Sequence, residues 1–332
     1  MKSKSKLRKA LSTNKSIALL AILVVVIIFF YYMNPSYLGK SNILILMKGM
    51  SLTGIIGVGI GCLLISGAID LGTGSVAVMG GIVTAFMLQF GLSWPLAVLI
   101  GLVFGIVAGV INALLINGLN MMPFIATIGM SSIWAGLSLV VTRALPVKFS
   151  NQPFIDLGQK SFLNGYLPLT FLIMLIVIVI YGFILQRTKF GRKIYMCGGN
   201  RNAARLAGIN PKRITSIMLI NCGMLSAFGG VVYAANMRKG DPVQLTAGFD
   251  AITAAVLGGI SFHGGAGGVG GMLSGLLLLN FFANGLAVIQ IPSYWQLFSQ
   301  GALLVIALAV DYYRDMSRQK ALKAAKRLLL QR

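Results

Sequence analysis

The stretch Leu172-Ile-Met-Leu-Ile-Val-Ile-Val-Ile-Tyr181 offers no polar side chain before its last position, and a basic segment, Arg187 to Arg213, follows at once. A helix of a soluble core keeps a polar stripe for water, and a transmembrane barrel strand alternates apolar with polar; this run does neither. Ile17 to Phe30 reads the same way. Crossing a hydrocarbon layer of ~30 Å takes about 20 residues of helix, which satisfies its own backbone hydrogen bonds where no water is present. With breakers and charges as span ends, helices fall near 17–33, 46–67, 74–90, 94–117, 124–142, 168–185, 214–236, 248–260, 266–286 and 294–312. The expected fold is an all-α polytopic membrane protein with about ten transmembrane helices. Composition agrees: 57% of residues are hydrophobic and 10% charged, against roughly 25% charged in a soluble domain.

A net charge of +22 raises the question of nucleic acid, and the placement of the charges answers it. Residues 1–16 hold six Lys and Arg, 187–213 hold eight and 314–332 hold seven, so 21 of the 28 flank apolar spans. That is the positive-inside pattern, with membrane lipid and not nucleic acid as the partner. The expected division is a basic cytoplasmic N-terminus (1–16), a membrane domain (17–313) with a cytoplasmic loop at 187–213, and a basic cytoplasmic tail (314–332). Six spans before the central loop and four after it let all three basic segments share one side, leaving 143–167 and 237–247 outside. The first span resembles a signal peptide, but Tyr31 to Pro35 provide no small-residue cleavage site, so it is expected to be retained.

The inventory of reactive groups excludes most chemistry. All six acids are Asp, at 70, 156, 241, 250, 311 and 315, and His263 is the single histidine. General acid–base catalysis and metal binding have almost no material, so no enzyme, metal or cofactor is expected. Cys62, Cys197 and Cys222 are too scattered for a CxxC site and read as free packing thiols. Gly265-Ala-Gly-Gly-Val-Gly270 is a literal GxGxxG, yet no acid follows at the ribose-binding distance. Gly39-Lys40-Ser41 resembles the end of a P-loop, but Asn34 stands where its first Gly belongs. Any ATP-derived energy must come from a partner.

Two series of motifs run in the same order. Asp70-x-x-Thr73 precedes Gly80-Gly81, the ladder Gly101, Gly105, Gly109, then Asn117-Gly-Leu119 and Pro123; Asp250-x-x-Thr253 precedes Gly258-Gly259, the ladder Gly267, Gly271, Gly275, then Asn284-Gly-Leu286 and Pro292. Two five-span units related in this way insert upside down with respect to each other, giving an inverted repeat. The ladders need no function beyond close helix crossing.

The central segment is Phe190-Gly-Arg-Lys-Ile-Tyr-Met-Cys-Gly-Gly-Asn-Arg-Asn-Ala-Ala-Arg-Leu-Ala-Gly-Ile-Asn210, then Pro211. Gly198 and Gly199 allow a turn, Asn200 caps, 201–207 form a two-turn helix, and Gly208 and Pro211 end it. So short a helix needs a docking surface; Ala203, Ala204 and Ala207 allow close approach, and Arg201 and Arg205 stand at i, i+4. Charge alone favours an ordinary basic loop. Together with Ser66-Gly-Ala-Ile-Asp-Leu-Gly-Thr-Gly-Ser-Val76, Asn117-Gly-Leu119, Pro123-Phe-Ile-Ala-Thr-Ile-Gly129 and Leu257-Gly-Gly-Ile-Ser-Phe-His-Gly-Gly-Ala-Gly267, however, the segment resembles the ribose-type sugar ABC permease family from about residue 50 to 312. The resemblance implies a multi-pass subunit of a prokaryotic inner membrane, paired with a second permease copy or homologue, driven by an ABC ATPase subunit and fed by an extracytoplasmic sugar-binding protein. It also implies that residues 190–210 hold the helix seated in the ATPase, with Gly191, Gly198, Gly199, Asn200, Arg201, Ala203, Ala204, Arg205, Ala207 and Gly208 the coupling residues. The chain departs from the usual pattern at Gly264-Gly265, where the family often carries Ser and lacks His; the departure bears on a turn. A branched-chain amino acid or nucleoside is the alternative cargo, and an ion-coupled secondary transporter the alternative mechanism.

Polar or ring-bearing groups beside helix breaks are the candidates for a path taken by a hydroxylated solute: Asp70, Thr73, Phe124, Thr127, Asp250 and Thr253. For the two carboxylates, helix capping competes with a substrate or gating role, since an ionised group at mid-membrane is costly. His263 reads as a turn residue. Trp94, Trp134 and Trp295 read as interfacial anchors, with stacking on a sugar ring an option for the last two.

Overall fold

A computed structural model describes residues 15–243 and 246–330; most of the expected N-terminal segment 1–16 lies outside the described residues. In chain order the helices are α1 (Lys15–Met33), α2 (Lys40–Ile65), α3 (Thr73–Gln89), α4 (Trp94–Ala113, prolonged by a π turn at Leu114–Gly118), α5 (Pro123–Thr142), α6 (Gln152–Gln159), α7 (Leu169–Arg187), α8 (Lys189–Gly199), α9 (Arg201–Leu206), α10 (Pro211–Met237), α11 (Ala247–Leu257), α12 (Val269–Val288) and α13 (Ser293–Leu330). Among the described residues six helices are long and apolar enough to cross a membrane: α2, α4 with its π turn, α5, α7, α10 and α12. Four shorter apolar helices, Leu19–Met33, Thr73–Gln89, Ala247–Leu257 and Ser293–Ala309, fall where the remaining spans were expected. The last helix runs on to Leu330, through the segment read as a separate tail.

Helix α2 is the hub. From Met50 to Ile65 every residue is buried, against α10, α11, α7 and α12. Its N-terminal Lys40 donates to the carbonyl of Asn164 at 2.7 Å, whereas Ile65 at its far end accepts from Gly265 at 2.9 Å. A 26-residue helix spans about 39 Å at 1.5 Å per residue, so the 161–168 hairpin and the α8–α9 elbow lie at opposite ends of a membrane-length rod. Strand β1 (Val147–Lys148) pairs antiparallel with β4 (Lys239–Gly240), joining the two segments expected outside, and β2 (Ser161–Phe162) pairs with β3 (Leu167–Pro168).

Small residues bring the helices close, as lipid-embedded bundles require. A Cβ at Gly230 of α10 would overlap the carbonyl oxygen of Ala77 in α3, and one at Gly109 of α4 would lie 2.6 Å from the Ile220 Cα in α10. The first Gly ladder therefore serves a helix crossing, as expected. The second does so in part: a Cβ on Gly275 of α12 would overlap the Ala254 carbonyl oxygen in α11, whereas Gly267 lies in a loop at φ +105° before α12 begins. Gly80-Gly81 sits inside α3 whereas Gly258-Gly259 closes α11, so the repeated motifs occupy unlike structural positions. Trp134 also departs from the interfacial reading; it is buried in α5, edge-on to Phe104 at 5.1 Å. Apolar side chains of α5 and α7 such as Ile133, Val140, Val179 and Phe183 face outward, where a soluble protein would place polar ones.

Gly230→Ala should lower stability by about 1–3 kcal/mol or more, the usual cost of overpacking. Gly129→Ala, with open space around it, should be neutral. Thermal unfolding of the detergent-solubilised protein compares the two, and equal melting would contradict this packing.

Candidate functional site

Helix α8 starts where the Thr188 hydroxyl caps the Gly191 amide at 3.0 Å. Only a turn at Gly198-Gly199 was expected before Asn200; Lys189–Gly199 is an 11-residue helix whose inward stripe is Gly191, Ile194 and Cys197. The chain then bends at Asn200, whose Oδ1 accepts from the amides of Asn202 at 2.9 Å and Ala203 at 3.0 Å, opening α9 as expected. Gly208 adopts φ +75° just past the helix, and Asn210 caps α10, whose first residue is Pro211.

The elbow is fastened by backbone. Gly67 (φ +80°), Gly264 (φ +87°) and Gly265 (φ +69°) hold left-handed conformations, which favour glycine. A Cβ on Gly198 would overlap the Ile65 carbonyl oxygen, one on Gly264 would lie 2.8 Å from the Gly67 Cα, and one on Gly265 2.5 Å from the Gly199 Cα. Three turns, at Ile65–Gly67, Gly198–Gly199 and Gly264–Gly265, therefore meet with no side chain between them. The Arg201 guanidinium donates to the Gly67 carbonyl at 3.0 Å, and the Tyr195 hydroxyl to the Gly267 carbonyl at 2.8 Å. Burial, reinforced by nearby Cys62, raises the Tyr195 pKa, so the phenol keeps the proton it donates.

Of the alanines expected to permit close approach, only Ala204 is buried; Ala203 and Ala207 are exposed. Leu206, which sequence reasoning passed over, is 91% exposed. A short helix thus buries one methyl and presents a leucine to the outside.

The turn that ends α2 leads to Asp70, which is 1% exposed. Its Oδ1 accepts from the Gly72 amide at 2.7 Å and its Oδ2 from the Asn112 side chain at 2.8 Å. Asp70 therefore ties a loop to α4; the N-cap of α3 is Gly72, without a side-chain bond. Thr127 is buried with its hydroxyl on the Pro123 carbonyl at 2.9 Å, and its own carbonyl faces Gly72. Thr73 abuts α11, since a Cβ on Gly248 would lie 2.8 Å from Thr73 Oγ1. Thr73 Oγ1 and Asn112 Oδ1 are buried without a hydrogen-bond partner. Asp250 stands in the first turn of α11, a position that favours its charge near the helix N-terminus. With Thr253 and Gln300 it lines a cleft of about 290 Å³ between α11 and α13. The structure thus gathers Asp70, Thr73 and Thr127, sets Asp250 and Thr253 in a separate cleft, and leaves Phe124 56% exposed on the surface. Among the described residues no cluster of metal-ligating side chains occurs.

Residues 41–308 match the family described as branched-chain amino acid transport system / permease component. The ribose import permease protein of Bacillus subtilis (strain 168) is 35% identical over 84% of this chain and 87% of its own length. The L-arabinose ABC transporter permease protein of Azospirillum brasilense is 31% identical over 86% and 84%. The D-allose transport system permease protein of Escherichia coli (strain K12) is 34% identical over 84% and 86%. No solved structure matches.

Asp70→Leu should melt at a lower temperature than the parent protein, because it strands the Gly72 amide and the Asn112 side chain at about 1–3 kcal/mol each. Asp70→Asn should retain most of the stability, since Asn112 can turn its amide to complete the pair. Equal loss from both, measured by thermal unfolding in detergent, would show that the charge and not the hydrogen-bond pattern holds this turn.

Proposed function

Because the chain belongs to the branched-chain amino acid transport system / permease component family, we propose that it is the membrane-spanning subunit of an ABC importer that carries a simple sugar, a ribose-like monosaccharide or a close relative, into the cytoplasm. It is a transport protein of multi-pass helical build. The sugar reading is supported by relatives named for ribose, L-arabinose and D-allose, each aligned over most of both chains. A neutral sugar also asks for no buried counter-charge, in keeping with an Asp70 engaged by Gly72 and Asn112.

The observation that carries the mechanism is the α8–α9 elbow, with Leu206 projecting outward and its backbone wedged against both the Ile65–Gly67 turn and the Gly264–Gly265 turn. The ATPase subunit seats on α9, and its closure pushes the elbow. The Ile65–Gly67 turn then carries the displacement to the Asp70 loop and the start of α3, while the Gly264–Gly265 turn carries it to α11 and α12. Alternating access follows as these packed units rock between two arrangements. Gly191, Gly198, Gly199, Gly208 and Asn200 shape the elbow, Ala204 anchors α9, and Arg201 latches it to Gly67. Ala203, Arg205, Ala207 and Leu206 are available to the partner. Both termini and the elbow face the cytoplasm, and an extracytoplasmic sugar-binding protein delivers cargo to the face built from the 143–168 and 237–240 segments. A second permease copy or homologue covers part of the outward apolar surface. The two shorter helices α3 and α11, which meet at Thr73 and Gly248, count among ten spans and border the cargo path with Asp250 and Thr253.

Leu206→Asp and Ala204→Pro should each abolish ATPase co-purification and ATP-driven sugar uptake in vesicles, with membrane levels unchanged. Leu163→Asp, an exposed change at the other end of α2, should leave ATPase co-purification intact. Unimpaired uptake by both elbow variants would reject the role given to α9.

A further inference from the structure

Between α9, the start of α10 and the α4–α5 connection lies a cleft of about 210 Å³; the transport reading uses Arg201 as a latch and Arg205 as a partner contact but gives the cleft itself no ligand. Arg201, Arg205 and Lys212 line it, and no acidic residue does. The one ion pair among the described residues is Lys239 with Asp241, far along the chain at the end of α10, so these three cations have no carboxylate to neutralise them. Lys212 spends two of its three N–H donors on the Asn117 carbonyl at 3.1 Å and Asn120 Oδ1 at 2.7 Å. Arg201 gives one donor to Gly67, and among the described residues the Arg205 side chain makes no hydrogen bond. A set of cations placed only to mark the cytoplasmic side would spread into water to reduce their repulsion. Here they are held around one concavity.

The backbone adds to the same field. Helices α5 and α10 both open onto the cleft, at Pro123 and Pro211, and α5 has no side-chain cap. The amides of a helix's first turn and its dipole favour an anion. Guanidinium groups suit a tetrahedral oxyanion because they offer paired, diverging N–H donors. The cleft is smaller than the ~300–1,000 Å³ typical of pockets for drug-sized ligands, and it opens past Arg205 and Lys212 into a groove that reaches solvent. From these observations we propose that the cleft binds a phosphate group, either as the monoester of a small polyol from solution or as the headgroup of an anionic lipid. The site rests on this chain's own residues and is independent of the sugar reading. An anion there sits beside the Arg201 latch, so its occupancy bears on how tightly α9 is held.

The test uses the purified full chain in maltoside detergent, which carries no phosphate, titrated calorimetrically with inorganic phosphate and with glycerol 1-phosphate. Saturable binding is expected, weakened at least ten-fold by Arg205→Gln, a substitution that breaks no hydrogen bond, and weakened likewise by Lys212→Gln. Arg205→Lys should restore part of the affinity. Repeating the titration with phosphatidylglycerol in the micelles separates the sources: a ten-fold loss of apparent phosphate affinity identifies the lipid headgroup as occupant, and an unchanged affinity identifies the soluble ester. Absence of saturable binding in both settings, or binding indifferent to both Gln substitutions, would overturn the proposal.

Discussion

The structure depends on one contact, the meeting of three turns backbone against backbone at Ile65–Gly67, Gly198–Gly199 and Gly264–Gly265. Side chains at a junction can change rotamer and absorb a displacement; main chain against main chain cannot. The Gly265 amide bonded to the Ile65 carbonyl at 2.9 Å makes the same point, because it closes the junction with a hydrogen bond that has no rotatable side chain in it. An elbow seated there moves with the ends of α2 and α11 or not at all. That is the property the proposed coupling role requires of the elbow.

The junction also explains why polar groups are tolerated nearby. Asp70 follows the first of the three turns and is held by one amide and one side-chain donor, so its burial is compensated locally. Thr73 Oγ1 and Asn112 Oδ1 are not compensated. Thr73 lies where α3 begins, opposite Gly248 of α11, and Asn112 reaches Asp70 from α4; both α3 and α11 are shorter than a bilayer-spanning rod. Unspent hydrogen-bonding capacity beside interrupted helices is what a path for a hydroxylated solute would use.

Helix positions were legible in the sequence because hydrocarbon imposes a severe rule on length and polarity, and runs such as Leu172–Tyr181 obey it. The start of α2 was read six residues late, at 46, because charges were taken as span ends and Lys40 is one; Lys40 is accommodated on the Asn164 carbonyl, and Lys48, inside the span, on Gln159 at 2.8 Å. Helix α8 was missed although Gly191, Ile194 and Cys197 recur at helical spacing, because the Gly198-Gly199 pair drew attention to a turn. The caps at Asn200 and Gly208 were legible, being local. The triple junction was not, since its members are far apart in the chain, at Ile65–Gly67, Gly198–Gly199 and Gly264–Gly265, and glycine leaves no pattern that says what approaches it. The six path candidates shared only proximity to helix breaks, which says nothing about facing: Thr127 turned inward and Phe124 outward.

The central claim is that α9 presents Leu206 to a cytoplasmic ATPase. The protein's three cysteines are all buried, so a Leu206→Cys variant provides a single reactive thiol without further substitution. Labelling with a membrane-impermeant maleimide should be seen in inside-out vesicles, absent in intact cells, and blocked once the ATPase subunit is added to the vesicles. Labelling of intact cells, or labelling in vesicles indifferent to the ATPase, would contradict the account.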